Sequence, residues 1–178
     1  MAISAADILF KFSVTAAAGD TTAGTAAGSL GDQISTTQLT DATLHNLFDL
    51  ITGDENAASE AEYRCLFVHN NHASLTWESV VVWLSAETAG GAVGAISLDT
   101  TGVTAKGLAS AQAKTVADEN TAPATQTFSA PTTKGTGLAI GNIAAGSVAA
   151  IWVRRTAANT AALDLDGVTI RCEGDTAA

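Results

Sequence analysis

Two histidines three positions apart, His69 and His72, frame the tetrapeptide HNNH inside RCLFVHNNHASLTWESVVVWLS, residues 64–85. A close pair of imidazoles is a start toward a zinc site or a general base. Zinc, however, takes about four ligands in tetrahedral geometry, and neither Cys65 nor Cys172 stands in a Cys-x-x-Cys pair. Asparagine is among the few non-glycine residues that tolerate left-handed backbone angles. An Asn-rich tetrapeptide between two β runs is turn chemistry, and HNNH reads as a turn.

The other groupings carry less. DLDG, residues 164–167, opens like a calcium loop but lacks the third acidic position and the closing glutamate, so it reads as an Asp-rich turn. The acidic pairs Asp54–Glu55 and Asp118–Glu119 fall in polar stretches, where carboxylates are ordinarily solvated. Glycosidases draw two carboxylates from distant strands, but an aromatic content of 5% offers little for a sugar-stacking groove. No Gly-x-Ser-x-Gly elbow occurs, and no cysteine sits beside a histidine with an orienting acid. GDTTAGTAAGS lacks the Lys-Ser/Thr ending of a phosphate loop. The expectation is a protein that is not an enzyme, with no catalytic residues, no metal ligands and no cofactor.

The elements that hold these residues are mostly strands. In DILFKFSV, residues 7–14, Ile8, Phe10, Phe12 and Val14 share one face, the period of a half-buried strand. EYRCLFVHN sets Tyr63, Cys65, Phe67 and His69 against Arg64, Leu66 and Val68; apolar groups on both faces mark a central strand. SLTWESVVVWLSAE sets Val80, Val82 and Leu84 against Val81 and Trp83. The phase breaks at Glu78–Ser79, where a β-bulge would fit. Weaker strands are expected at 93–98 and 125–128, and GLAIGNIAAGS, residues 137–147, reads as a turn-rich passage. Strands near 148–156 and 167–174 are expected to pair antiparallel. The tryptophans Trp77, Trp83 and Trp152 all fall on strands, where they serve a core or an intersubunit contact. Both cysteines read as small buried hydrophobes, and their pairing stays open.

One helix is expected. In TDATLHNLFDLI, residues 40–51, Leu44, Leu47, Phe48 and Ile51 fall at helical spacing, with Thr40 or Asp41 as cap and Gly53 as stop. His45 lies off that stripe, and GDENAASEAE, residues 53–62, reads as an acidic surface loop. Residues 15–38 have no large apolar side chain before Leu30 and contain four glycines. Such a composition cannot offset the entropy of ordering by its own burial. It reads as a flexible arm or loop, ordered only when something else holds it. The stretch 106–131 holds both prolines, Pro123 and Pro131, residues confined to edges and loops.

The 178 residues suit one domain, residues 1–178, large enough for a core of its own. A formal charge of −10 disfavours nucleic acid and anionic membranes. No apolar run approaches the length of a membrane span. MAISAADILFKF lacks a basic region and a long apolar run, so it does not read as a signal peptide. Short strands with one helix and no β-α-β alternation point to an all-β antiparallel sandwich or jelly roll with long Ala/Gly/Thr-rich loops.

ISAADILFKFS, EYRCLFVHNNHASLTWESVVVWLS, TVADENTAPATQTFSAP, GLAIGNIAAGSVAAIWVRR and VTIRCEGDTAA, in that order, resemble virion structural proteins of tailed bacteriophages. Size, acidity and sandwich fold are similar to capsid decoration (cement) proteins. The resemblance implies a protein without enzymatic activity, made in the bacterial host cytoplasm and placed on the capsid surface of the virion. Its implied partners are the major capsid protein and itself, as a homo-oligomer and in this class a homotrimer, with neither nucleic acid nor membrane. The alternatives are a tail or baseplate-associated β module and, from another class, a carbohydrate-binding module. The expected contact elements are the arm at 15–38 and the loop at 104–136, both ordering on binding. On that reading, removing residues 15–35 leaves a folded protein that no longer coats capsids.

Overall fold

Alternation of bulky and small side chains at a period of two makes this chain pair as strands, because each strand can bury one face and pass its backbone bonds to a neighbour. The computed structural model describes residues 2–176. Its elements are β1 (Ile8–Val14), β2 (Gln33–Gln38), a short helix α1 (Gly53–Ala58), β3 (Ala61–Asn70), β4 (Trp77–Glu87), β5 (Val93–Ala105), β6 (Leu138–Ile143), β7 (Ser147–Thr156) and β8 (Val168–Thr176). They form an all-β antiparallel sandwich of a five-stranded sheet, β2-β1-β3-β7-β5, and a three-stranded sheet, β6-β4-β8.

β3 is central, as its two apolar faces require, and pairs with β1 on one side and with β7 from Ala61↔Thr156 to His69↔Val148 on the other. Leu66 and Val68 of β3 meet Ile151 and Val153 of β7 and Val80, Val82, Leu84 and Ile143 of the small sheet in the inter-sheet core. Phe12 of β1 is buried there too, with Ile8 and Phe10 packed against it. The bulge expected at Glu78–Ser79 is present. Ser79 takes φ of 53°, and the β4 ladders shift register between Trp77 and Val80 and between Glu78 and Val81. All three tryptophans are buried within the single chain.

Several expectations are corrected. Residues 40–51 are not a helix. Leu47 and Phe48 turn toward the core, but Ala42 and His45 take positive φ and Leu44 and Leu50 are exposed. The helix is α1, starting at the next threonine: Thr52 Oγ1 accepts from Glu55 N while Thr52 N donates to Glu55 Oε2. That reciprocal cap stabilises a helix start by satisfying two orphan donors, and it places Asp54 and Glu55 inside α1 instead of in a loop. β7 and β8 do not pair. β7 has both edges taken by β3 and β5, so residues 157–167 cross to the other sheet, where β8 pairs with β4. Residues 138–143 of the expected turn-rich passage form β6. β5 runs past the expected end at 98 to Ala105, through a register break between Leu98 and Val103. The stretch 125–128 is not a strand; it leads to a single bridge, Ile96↔Ser129.

The largest correction concerns the arm. Residues 33–38 are β2, paired with β1; of the remainder, Leu30 lies on the outer face of the large sheet with Ala113, Val116 and Phe128, while Ala26 packs against the inter-sheet core. Ala113 and Val116 join Cys65, Phe67, Val148, Ala150 and Trp152 in a second apolar cluster on that face, with Leu30 and Phe128 packed against it. The two coil segments bond each other: Val116 N donates to Leu30 O at 3.0 Å and Gln112 N to Asp32 O at 2.7 Å. Gly31 shows why a small residue is required. It sits at φ of +101°, and a Cβ there would lie 1.7 Å from the Lys114 carbonyl oxygen. Removing 15–35 would strip part of β2 and bare this cluster, so a folded remainder is no longer the expectation.

Candidate functional site

Parity along two strands builds the main charged cluster. Glu62 and Arg64 share the inward face of β3 with Leu66, and Arg155 shares that of β7 with Val153. Glu62 and Arg155 are direct cross-strand partners. All three charged groups therefore enter the open end of the sandwich, where an unpaired charge would be costly. Arg155 Nε donates to Glu62 Oε2 at 2.6 Å, and its terminal nitrogens reach Glu62 and the Asp49 carbonyl and carboxylate. Arg64 pairs with Glu119 and donates to Tyr63 O at 3.3 Å. Phe48 fills the space between the cations, its ring centre 5.5 Å from Arg64 Cζ and 4.9 Å from Arg155 Cζ. Burial pushes the Glu62 carboxyl above its ordinary range, while the Arg155 bond and charge pull the other way. The cluster ties residues 48–49 and 119 to the ends of β3 and β7.

A second network sits on the outer face. Asp99, buried, accepts from Trp152 Nε1 and Lys114 N at 2.9 Å each and from Thr101 N at 2.8 Å. Gln112, also buried, accepts from Ile34 N at 3.0 Å and donates to Ala105 O at 2.7 Å and to Thr104 Oγ1 and Lys106 O at 3.2 Å. Gln33 accepts from Gly19 N at 2.7 Å and donates to Ala109 O at 3.0 Å. These side chains pin the coil layer to the sheet.

The two histidines serve different ends. His69 is buried on the outer face of β3, and its ring is lowered to about 4, first by burial and then by Lys11 and Lys106. His72 lies in the turn between β3 and β4, where its Nδ1 accepts from Ser74 N at 3.1 Å and Leu75 N at 3.0 Å. Asn70 finishes the turn by donating to Leu75 O and Ile143 O at 2.9 Å. HNNH is thus a strand end and a turn. Of the acidic pairs, Glu119 holds Arg64 and Asp118 accepts from Thr121 Oγ1 at 2.7 Å. In DLDG, Asp166 accepts from Ala92 N at 2.6 Å, and Asp164 is exposed. Cys65 and Cys172 are both free thiols on different sheets, each pushed up in pKa by burial. Among the described residues, no three His, Cys, Asp or Glu side chains gather as a metal site would need.

A groove of about 380 Å³ lies between β8 and the inner face of β1, with Ile8, Phe10, Trp77, Ile170 and Cys172 among its lining. It exists because the small sheet stops at β8 while the large one continues through β1 and β2. No protein-family model, curated protein or solved structure matches this chain. The charged cluster was open to sequence reasoning in one respect. Arg155 and Glu62 each fall in phase with core residues, and an inward arginine on a strand demands a carboxylate nearby. The glutamines gave no such signal, since their partners are mostly backbone groups, some of them far along the chain, as Ile34 N is for Gln112 and Ala109 O for Gln33.

Proposed function

We propose that this chain is a structural protein of a tailed-bacteriophage virion, binding the outside of the capsid as a decoration protein and stabilising the lattice. The observation that carries the reading is how its buried polar chemistry is used. Glu62, Arg64, Arg155, Asp99, Gln33 and Gln112 are engaged in bonds that lock three layers into one body. A rigid acidic module suits repeated docking on a symmetric shell, where many modest contacts add through high effective concentration. Binding only the assembled lattice stabilises it by mass action. The resemblance of successive strand segments to virion proteins points the same way.

The test is addition of the purified protein to particles that lack it, with occupancy counted by electron cryomicroscopy. The reading expects density spread over the capsid and a higher temperature for genome release. Density confined to the tail would replace it with the tail-module reading, and no binding to particles would refute both.

A further inference from the structure

Arg154 and Arg155 are neighbours on β7, so alternation sends them to opposite faces of the large sheet. Arg155 goes inward to Glu62 and Asp49, Arg64 has Glu119 and Arg171 has Glu173. Arg154, among the described residues, has no carboxylate, in a chain of formal charge −10. Nor is it freely solvated. It is half-buried on the outer face, and its Nε is buried without a hydrogen-bond partner, an arrangement that costs free energy until an acceptor arrives. The carboxylates of the neighbouring segments are committed elsewhere: Glu62 to Arg155, Glu119 to Arg64 and Glu60 to Asn120 Nδ2. Phe128 covers the cation, its ring centre 5.4 Å from Arg154 Cζ, and Tyr63, the cross-strand partner of Arg154, meets that ring edge-on at 5.4 Å. The ring stabilises the charge but offers no oxygen to the N–H groups. The same coil segment brings a second orphan donor. Gln126 Oε1 accepts from Ser97 Oγ at 3.1 Å, while Gln126 Nε2 is buried without a partner. On β5, Ser97 pairs with Trp152 and Ala95 with Arg154, so the two donors belong to adjacent rows of one face, about 7 Å apart along the strands.

We propose that Arg154, Gln126 and Phe128 form a carboxylate-binding site on the outer face of the large sheet. The guanidinium fork takes the carboxylate through two parallel N–H donors. Gln126 Nε2 donates to a further oxygen of the same ligand, and Phe128 and Tyr63 cover its carbon stem. The ligand class follows from the donors. A planar fork matches the planar pair of carboxylate oxygens, and one cation balances one negative charge, which suits a carboxylate better than a phosphate dianion. The carboxylate belongs to a small organic acid or to an acidic side chain of a partner protein; the chemistry at Arg154 is the same. The site makes no use of capsid binding, so it and the proposed function fail separately.

Side-chain N–H NMR of the full chain at constant ionic strength reads the site, with acetate, succinate and N-acetylglutamate amide as probes and chloride as the control. Saturable shifts of the Arg154 Nε–H and Gln126 amide signals are expected, while the Arg64 and Arg155 signals stay in place. Tighter binding of succinate assigns the ligand to the small acids, and tighter binding of N-acetylglutamate amide assigns it to an acidic protein segment. Arg154→Lys keeps the charge but loses the fork, and should weaken binding about tenfold, the usual worth of one charge-assisted hydrogen bond. Gln126→Glu sets a carboxylate beside Arg154 from within the chain; it should abolish probe binding and raise the melting temperature. No saturable shift with any probe, an equal shift in chloride, phosphate bound more tightly than every carboxylate, or undiminished binding by Gln126→Glu would each overturn the proposal.

Discussion

Leu66 and Phe67 are neighbours on β3, both fully buried, and they face two differently made interiors. Leu66 points between the sheets, where aliphatic side chains from both layers meet and backbone bonds close within the ladders. Phe67 points outward, under coil poor in bulky residues, where the cover is held by Gln33, Asp99 and Gln112. The first interior is stabilised mainly by apolar area, at about 25 cal/mol per Å². In the second, small residues supply little area, and much of the organisation comes from hydrogen bonds that would be expensive to leave unmade. A sheet face can therefore be sealed by low-complexity coil, provided that a few buried amides fix where that coil lies.

Truncating both neighbours compares the interiors directly. Phe67→Ala should destabilise by about 4 kcal/mol and Leu66→Ala by about 3 kcal/mol in urea unfolding, the usual range for buried truncations. A cost below about 1 kcal/mol for Phe67→Ala would mean that the outer cover is not packed. The next largest effect is in pH. His69 is neutral in the fold, with its ring held to about 4, against an ordinary value of about 6.5 in the unfolded chain. Between those values the unfolded chain takes up the proton and the folded chain does not. Stability from this group is complete above pH ~6.5 and is lost as pH falls toward ~4, about 3 kcal/mol in all. Glu62, whose carboxyl is raised, works in the opposite direction, so the slope is read as wild type minus His69→Gln. Equal slopes in the two proteins would refute it.

Gln112→Ala sharpens the contrast further. It leaves Ile34 N without its acceptor and removes one donor each from Thr104 Oγ1, Ala105 O and Lys106 O, for an expected loss of about 2 kcal/mol. Amide exchange should quicken first around residues 104–116. The smallest effect is Thr52→Ala, which removes the α1 cap for about 1 kcal/mol. A loss confined to fraying at 53–58 is expected, with the sandwich melting point nearly unchanged.

What was legible in the sequence follows the same division. The strands β1, β3, β4 and β7 announce themselves by alternation, and Ser79 by a break in phase. The inter-sheet core is essentially that pattern folded up. β6 hid because Gly141 and Ala139 dilute its alternation, and β2 because its neighbours in QISTTQ are polar and small. The false helix at 40–51 came from four residues at helical spacing, while the reciprocal cap Thr52-x-x-Glu55 stood just beyond it. Pairing partners are not local information, so the crossing of β8 to the small sheet was invisible. The inward Arg155 could have been read from parity; Gln33 and Gln112 could not, because their partners are mostly backbone groups, which carry no mark in the sequence.

The central claim is that residues 18–34 and 106–116 belong to the fold of the free protein and are not an arm awaiting a partner. Native-state hydrogen exchange on the isolated chain tests it most directly. The amides of Ile34, Cys65 and Val116, bonded to Gln112 Oε1, Ser29 O and Leu30 O, are expected to be protected to nearly the degree of the β3–β7 ladder. Exchange of Ile34 and Val116 at unfolded rates, while that ladder stays closed, would contradict the account.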